Sequence, residues 1–205
     1  PLVHFMIDLI IAFFVMINPF ALFLYLEPIR KDIGFRKYLY VLFKATSISL
    51  VVYFLFVLFG NFLFDKVFQI HFESFRIFGG IIIFAFAYLF IVGGKKAMIQ
   101  LRGSLDDLAS DIALPFIVGA GTISITLLMV YGHGRPMAFL GVIIALLANF
   151  LFIVSLGLFR KKLTQEKFKV AFDKNMGVLL RIMGFFSGAI GVNMVITGIQ
   201  NLISA

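Results

Sequence analysis

The stretch YLYVLFKATSISLVVYFLFVLFGNFL, residues 38–63, decides the fold of this 205-residue chain. Lys44, near its beginning, is its one charged residue. A helix needs about 20 mostly apolar residues to cross a bilayer. The stretch is therefore predicted to be a membrane-spanning helix.

Five other stretches along the chain have the same character. The six predicted spans cover residues 2–26, 38–63, 76–94, 112–131, 137–159 and 177–203. The composition agrees, since 62% of the residues are hydrophobic and 14% are charged. A soluble domain of this size could not bury so much apolar surface. We expect an all-α integral membrane protein with six transmembrane helices in a lipid bilayer.

Basic residues in the links between the spans orient the chain. Fourteen lie after the first, third and fifth spans: Arg30, Lys31, Arg36, Lys37, Lys95, Lys96, Arg102, Arg160, Lys161, Lys162, Lys167, Lys169, Lys174 and Arg181. Only Lys66, Arg76 and Arg135 lie on the other side. Cytoplasmic loops are rich in Lys and Arg. We therefore expect a multi-pass protein of the cell (inner) membrane with both termini outside. A re-entrant stretch, giving five or seven crossings, fits the even spacing less well.

A short motif occurs twice and indicates an internal repeat. RIFG at residues 76–79 begins the third span, and RIMG begins the sixth span 105 residues later. The first three spans (1–94) and the last three (112–205) are thus predicted to be related halves, joined by a cytoplasmic linker at 95–111. Because each half has an odd number of spans, the second is inverted relative to the first. Inverted-topology repeats occur in many secondary transporters.

The first span is interrupted by Asn18-Pro19. Proline donates no backbone hydrogen bond, so Pro19 deprives the Val15 carbonyl of its helical partner. An unsatisfied backbone group is costly in hydrocarbon, and such breaks survive where they are buried in protein or line a cavity. The Asn18 amide offers both donors and an acceptor at this point.

The fourth span is interrupted by Gly119-Ala120-Gly121. The amides of Gly121, Thr122 and Ile123 are predicted to form a new helix N-terminus, which attracts anions such as a carboxylate. Thr122 and Ser124 add hydroxyl groups. At about 1.5 Å per residue, both breaks lie well inside the hydrocarbon core, where transporters bind their substrates.

Small and polar residues within the spans also have a simpler interpretation. A proline can be only a kink, and glycines can serve only close helix packing. We favour packing for Gly79, Gly80, Gly188 and Gly191. Asn149 and Asn193 could equally contact a substrate or join helices.

The sequence gives little support for other functions. The chain has no cysteine, and its three histidines (His4, His71 and His133) are scattered along it, so we expect no metal site and no cofactor. No catalytic constellation lies within the spans, so we do not expect an enzyme. The charge of +8 is explained by the loops, without a nucleic-acid partner. One alternative is an exporter of ions or of other small polar solutes. An ion exporter would need midplane carboxylates or thiols, and Asp8 is the one acid well inside a span. A non-transporting membrane scaffold is the other alternative.

Five motifs together resemble the MarC family, also described as a six-helix neutral amino acid transporter family. They are NP at 18–19, SFRIFGG at 74–80, PFIVGAGTIS at 115–124, RIMG at 181–184 and TGI at 197–199. They cover essentially the whole chain. One position departs from the family pattern, because the central Gly-Pro-Gly reads Gly119-Ala120-Gly121 here.

The resemblance implies transport of small neutral amino acids such as glycine and alanine, and a distant kinship with LysE-type exporters. We expect alternating access around a midplane site, with the substrate carboxylate on Gly121, Thr122 and Ser124. The ammonium would face carbonyls near Phe14 and Val15, helped by Asn18. The sequence leaves open the direction of transport, the coupling ion (H⁺ or Na⁺) and whether the chain forms a homo-oligomer.

Overall fold

A computed structural model describes residues 2–94 and 117–204, and every regular element in them is helical. The prediction of an all-α protein is confirmed. A six-residue π-helical turn, Leu63–Phe68, follows the third helix. The helices are α1 Leu2–Ile17, α2 Pro19–Ile33, α3 Phe35–Phe62, α4 Phe72–Gly93, α5 Ala120–Lys162 and α6 Glu166–Ser204.

The described helices contain five segments that are long and apolar enough to cross a membrane. The first joins α1 and α2, and the others are α3, α4, α5 and α6. The predicted linker 95–111 and the beginning of the predicted fourth span, 112–116, lie outside the described residues. The sixth helix begins at Glu166, eleven residues before the predicted span. Its first turns carry charged residues, which the prediction of an apolar span left out.

Two glycines link consecutive helices with almost no loop. Gly34 separates α2 from α3 with φ 80° and ψ 162°. Gly134 interrupts α5 with φ 79° and ψ 168°. The link between the first two spans is therefore helical on both sides of Gly34, and the link between the fourth and fifth spans is a tight turn at Gly134. Glycine adopts this positive φ without steric strain.

The chain reverses direction at Gly134. Thr122, before the glycine, bonds to Tyr53 of α3 at 2.7 Å. Phe139, after it, stacks edge-on against the adjacent Phe54 with ring centroids 4.5 Å apart. The two parts of α5 (120–133 and 135–162) are thus two arms that both pack on α3, as the separate fourth and fifth spans predicted.

Contacts between helix ends define two ends of the molecule. At the basic end, Arg160 bonds to Glu27 and Asp173. At the far end, Phe72 packs against Tyr131 with centroids 5.8 Å apart, and Asn201 donates a 2.9 Å hydrogen bond to Glu73.

The first and last helices run in opposite directions. Val15 of α1 bonds to Ser187 of α6, and Asp8 shares a shallow groove with Asn193. Since α6 ends at the far end, α1 begins there. Both ends of the described chain therefore lie at the far end of the molecule.

Glycines bring α4 and α6 into backbone contact. A Cβ added at Gly80 would lie 2.5 Å from the Gly191 carbonyl oxygen, and one at Gly188 would lie 3.2 Å from Ala87 Cβ. A Cβ at Gly79 would lie 3.0 Å from the backbone of Ala120 in α5. Such approach is typical of helix packing in membranes. The packing role predicted for these glycines is confirmed.

Candidate functional site

Asn18 forms the first break, between α1 and α2. Its backbone is left-handed, with φ 50° and ψ 75°, which asparagine tolerates better than most residues. Its Oδ1 accepts a 3.2 Å hydrogen bond from the Ala21 amide, and Pro19 occupies the first helical position, where its missing donor is harmless. The sequence therefore builds a regular helix start in the middle of an apolar span.

The carbonyl of Val15 is not free, contrary to the expectation from Pro19. It accepts a 3.1 Å bond from the Asn18 amide and another, also 3.1 Å, from the Ser187 hydroxyl of α6. Ser187 replaces the donor that proline lacks, and no sequence signal pointed to it. The Phe14 ring packs edge-on against Phe152 with centroids 5.5 Å apart.

Thr122 organises the second break. Gly119 is extended (φ −129°, ψ 164°), and α5 begins at Ala120. The Thr122 hydroxyl accepts a 3.0 Å bond from the Gly119 amide. The hydroxyl of Tyr53 lies 2.7 Å from Thr122 Oγ1 and 2.5 Å from the Ile117 carbonyl oxygen. Tyr53 is fully buried, and no sequence feature distinguishes it from the other aromatic residues of its span.

The backbone amides left without a helical acceptor at the second break begin one residue earlier than predicted. The Ile123 amide donates a 2.9 Å helical bond to the Gly119 carbonyl, so Ile123 is not available. The first three helical amides, of Ala120, Gly121 and Thr122, have no acceptor within the helix. The Ser124 hydroxyl is buried and donates to the Ala120 carbonyl at 2.9 Å, within its own helix.

A small cavity joins the two breaks. Its free space is about 70 Å³. Helix α4 contributes an apolar wall that includes Ile83 and Phe86. The residues from the breaks and α6 that line it are Met16, Ile17, Gly119, Ala120, Gly121, Thr122 and Ser187. A Cβ at Gly121 would overlap the Ile83 and Met16 side chains, so this glycine permits the helix start to approach α1 and α4.

Asn149 is fully buried, and neither polar atom of its side chain has a hydrogen-bond partner among the described residues. The Nδ2 of Asn18 is also buried, and it too has no hydrogen-bond partner in the part of the chain that the structure describes. One turn beyond Asn149, Phe152 contacts Phe14 and Phe20, which flank Asn18. A buried unsatisfied polar group costs about 1–3 kcal/mol, so this region suits water or a polar ligand. Asn193, in contrast, is exposed on α6.

A buried ion network at the basic end was not predicted. Glu27 Oε1 lies 2.6 Å from Arg160 and 2.7 Å from Arg30. Arg160 also forms a bidentate pair with Asp173, at 2.8 and 2.9 Å. The hydrogen bond to Glu27 raises the pKa of the Arg30 guanidinium above its ordinary value. The network joins α2, α5 and α6 and lies away from the cavity.

Comparisons with known proteins agree along the whole chain. The sequence profile described as MarC family integral membrane protein matches residues 3–203. UPF0056 membrane protein PH0214 of Pyrococcus horikoshii is 26% identical over 192 residues, covering 92% of this chain and 90% of that protein. UPF0056 membrane protein MJ0972 of Methanocaldococcus jannaschii is 27% identical, over 94% of this chain and 85% of that protein. UPF0056 membrane protein YvbG of Bacillus subtilis is 26% identical, over 78% and 77%. No solved structure matches this chain.

Proposed function

Because the chain belongs to the MarC family of integral membrane proteins, we propose that it is a secondary transporter of small neutral amino acids, and not an enzyme. The substrate binds at the midplane between the two breaks, and the two halves of the chain move to expose it alternately to each side. The protein resides in the cell (inner) membrane, with the basic end in the cytoplasm and both termini outside.

The observation that carries this proposal is the opposite polarity of the two breaks on one cavity. Helix α5 begins at the cavity, and its open amides at Gly121 and Thr122 carry partial positive charge. Helix α1 ends at the cavity with Met16 and Ile17, and a helix C-terminus carries partial negative charge. A carboxylate on α5 and an ammonium on α1 would satisfy both. A zwitterion thus needs no charged side chain in the membrane.

The size of the cavity supports a small substrate. Its free space of about 70 Å³ is several times the roughly 10–15 Å³ that one water needs, so it can hold a molecule of about five or six non-hydrogen atoms. Glycine and alanine have about that many non-hydrogen atoms. The apolar wall of α4 would face the substrate side chain, which favours hydrogen or methyl over a polar group.

Matching turns support the inverted repeat. Gly34 and Gly134 lie 100 residues apart and have nearly the same dihedral angles. Asn18 and Gly119, 101 residues apart, each precede a helix that starts inside the membrane. Two halves with the same sequence of break, helix and glycine turn suit a mechanism in which each half opens one side.

Uptake into liposomes tests this function. The purified protein is reconstituted, and uptake of labelled glycine and alanine is measured under sodium, proton and exchange gradients. Asn18→Ala and Gly121→Leu should abolish saturable uptake. Phe185→Leu should retain it, because Phe185 lies on the surface of the helix bundle and is 63% exposed. Absence of uptake under every gradient would overturn the amino acid assignment.

A further inference from the structure

Glu27 and Arg160 close the space between α2 and α5 at the basic end. Their 2.6 Å ion pair is almost completely buried, with each side chain 6% exposed. Arg160 is held in place by Asp173 of α6, and Glu27 by Arg30. Separating one partner from a buried pair leaves an uncompensated charge, so this contact opens only where water can replace it.

Gly60 and Leu127 close a space toward the far end in a different way. A Cβ added at Gly60 would overlap the Leu127 side chain. Both residues are buried, and Leu127 is fully so. The contact joins α3 to the first arm of α5, and it is apolar throughout.

The two contacts occupy corresponding positions of the two halves. Leu127 lies 100 residues after Glu27, and Arg160 lies 100 residues after Gly60, the same separation as between the turn glycines Gly34 and Gly134. Position 27 of the first half therefore meets position 160 of the second, and position 127 of the second half meets position 60 of the first. Such reciprocal pairing is what a twofold relation between two copies produces.

Both contacts lie at a similar distance from the breaks. Glu27 is nine residues beyond Asn18, and Leu127 is eight beyond Gly119. At about 1.5 Å per residue, each lies about 12–14 Å from its break, in opposite directions along the membrane normal. The cavity therefore lies between the two contacts.

We propose that Glu27–Arg160 and Gly60–Leu127 are the two gates of the transport cycle, which open in alternation on the basic and the far side of the cavity. This inference rests on the proposed transport function. The gates are unlike in chemistry: the basic-side gate is held by charge and hydrogen bonds, and the far-side gate by close apolar packing. Weakening one gate therefore shifts the protein toward the state open on that side.

A single cysteine reports which side is open, because the natural chain has none. Ser187→Cys places a thiol in the cavity wall. Right-side-out and inside-out vesicles are treated with a membrane-impermeant thiol reagent, and the labelling rate is measured from each side. Glu27→Gln should raise labelling at least about tenfold from the basic side only, since a tenfold shift in population requires about 1.4 kcal/mol.

Gly60→Leu should raise labelling by a similar factor from the far side only, because the larger side chain collides with Leu127. The exchanged pair Gly60→Leu with Leu127→Gly restores the fit and should return labelling to the level of the reporter alone. Glu166→Gln is the control at the basic end, since Glu166 is 77% exposed and its ion pair with Lys169 lies at the surface. If Glu27→Gln does not fold, Arg160→Lys weakens the same gate, because lysine cannot form the bidentate pair with Asp173.

Increases from opposite sides in the two variants support the gates. Unchanged rates, or increases from the same side, overturn them. The labelling needs no substrate, so its result is separable from that of the uptake assay. Opposite labelling with no amino acid uptake would leave the gates standing and remove the substrate class. Uptake without any change in labelling would retain the transporter and remove these gates.

Discussion

Gly121→Ala should restrict the substrates to glycine, because transport of alanine should be lost while transport of glycine is largely kept. A methyl group at this position would overlap Ile83 Cδ1 and Met16 Cε, and both of these residues line the cavity. The overlapped atoms are the ends of flexible side chains. They are expected to turn aside into the cavity, which has about 70 Å³ of free space and little to spare.

The magnitude follows from the size of one methyl group. Overpacking a filled site costs about 1–3 kcal/mol. A pocket that must exclude or accept one extra methylene discriminates by about 10–200-fold. If the displaced side chains occupy the space used by the methyl group of alanine, uptake of alanine should fall by about tenfold or more relative to glycine. Glycine, which lacks that methyl group, should lose much less.

Competition in liposomes measures this directly. Uptake of labelled glycine is followed with rising unlabelled alanine, for the natural chain and for Gly121→Ala. The matched control is Gly157→Ala on the same helix, where the nearest atom to an added Cβ is 3.8 Å away. Equal losses for glycine and alanine would refute the reasoning, because they would show that position 121 affects folding or the helix start and not the volume offered to the substrate.

Four further variants test single contacts. Tyr53→Phe removes a buried hydroxyl that bonds to Ile117 and Thr122. The KM for the substrate should rise, while the free energy of unfolding in detergent falls by only about 1–2 kcal/mol. An unchanged KM would contradict a positioning role. Arg160→Gln leaves Glu27 buried without this partner and should destabilise the protein by about 3–5 kcal/mol, detected as a lower Tm that Lys169→Gln does not reproduce. Gly191→Ala, whose Cβ would lie 2.7 Å from the Gly80 carbonyl oxygen, should separate α4 from α6 and lower the Tm more than Gly188→Ala does. Asn149→Leu replaces an unpartnered buried amide and should leave stability unchanged or raise it while transport falls; retained transport would show that Asn149 is not used.

Much of the fold could be predicted because the bilayer restricts the solutions. Apolar length and the small residues within the spans depend on local sequence and on lipid, so the all-α architecture and a packing role for Gly80 and Gly191 could be predicted. The lengths of the links did not follow. Charged residues near Gly34 were interpreted as a loop, whereas helices continue through them until a single glycine with positive φ ends them.

The candidate site could be predicted only where its chemistry lies in the backbone. Asn18-Pro19 and Gly119–Thr122 interrupt helices through their own backbone chemistry. The cavity is lined by Gly119–Thr122 and, on the side of the first break, by Met16 and Ile17, which directly precede Asn18. Side chains that complete the breaks come from distant spans. Ser187 is 172 residues from Val15, and Tyr53 is 69 residues from Thr122. A single serine or tyrosine in an apolar span has no sequence feature that distinguishes such a role from exposure to lipid.

The charged network shows a second reason why prediction stopped short. The sequence assigns Arg30 and Arg160 to the links, where their charge predicts a cytoplasmic position. In the structure both residues form ion pairs with the buried Glu27, which directly follows the predicted first span, 2–26. A basic residue at the membrane boundary can contribute to the cytoplasmic excess of Lys and Arg and can also be buried in an ion pair between helices. Orientation and gating can therefore depend on the same residues, so a variant that breaks the Glu27–Arg160 pair while keeping the positive charge, such as Arg160→Lys, separates the two roles.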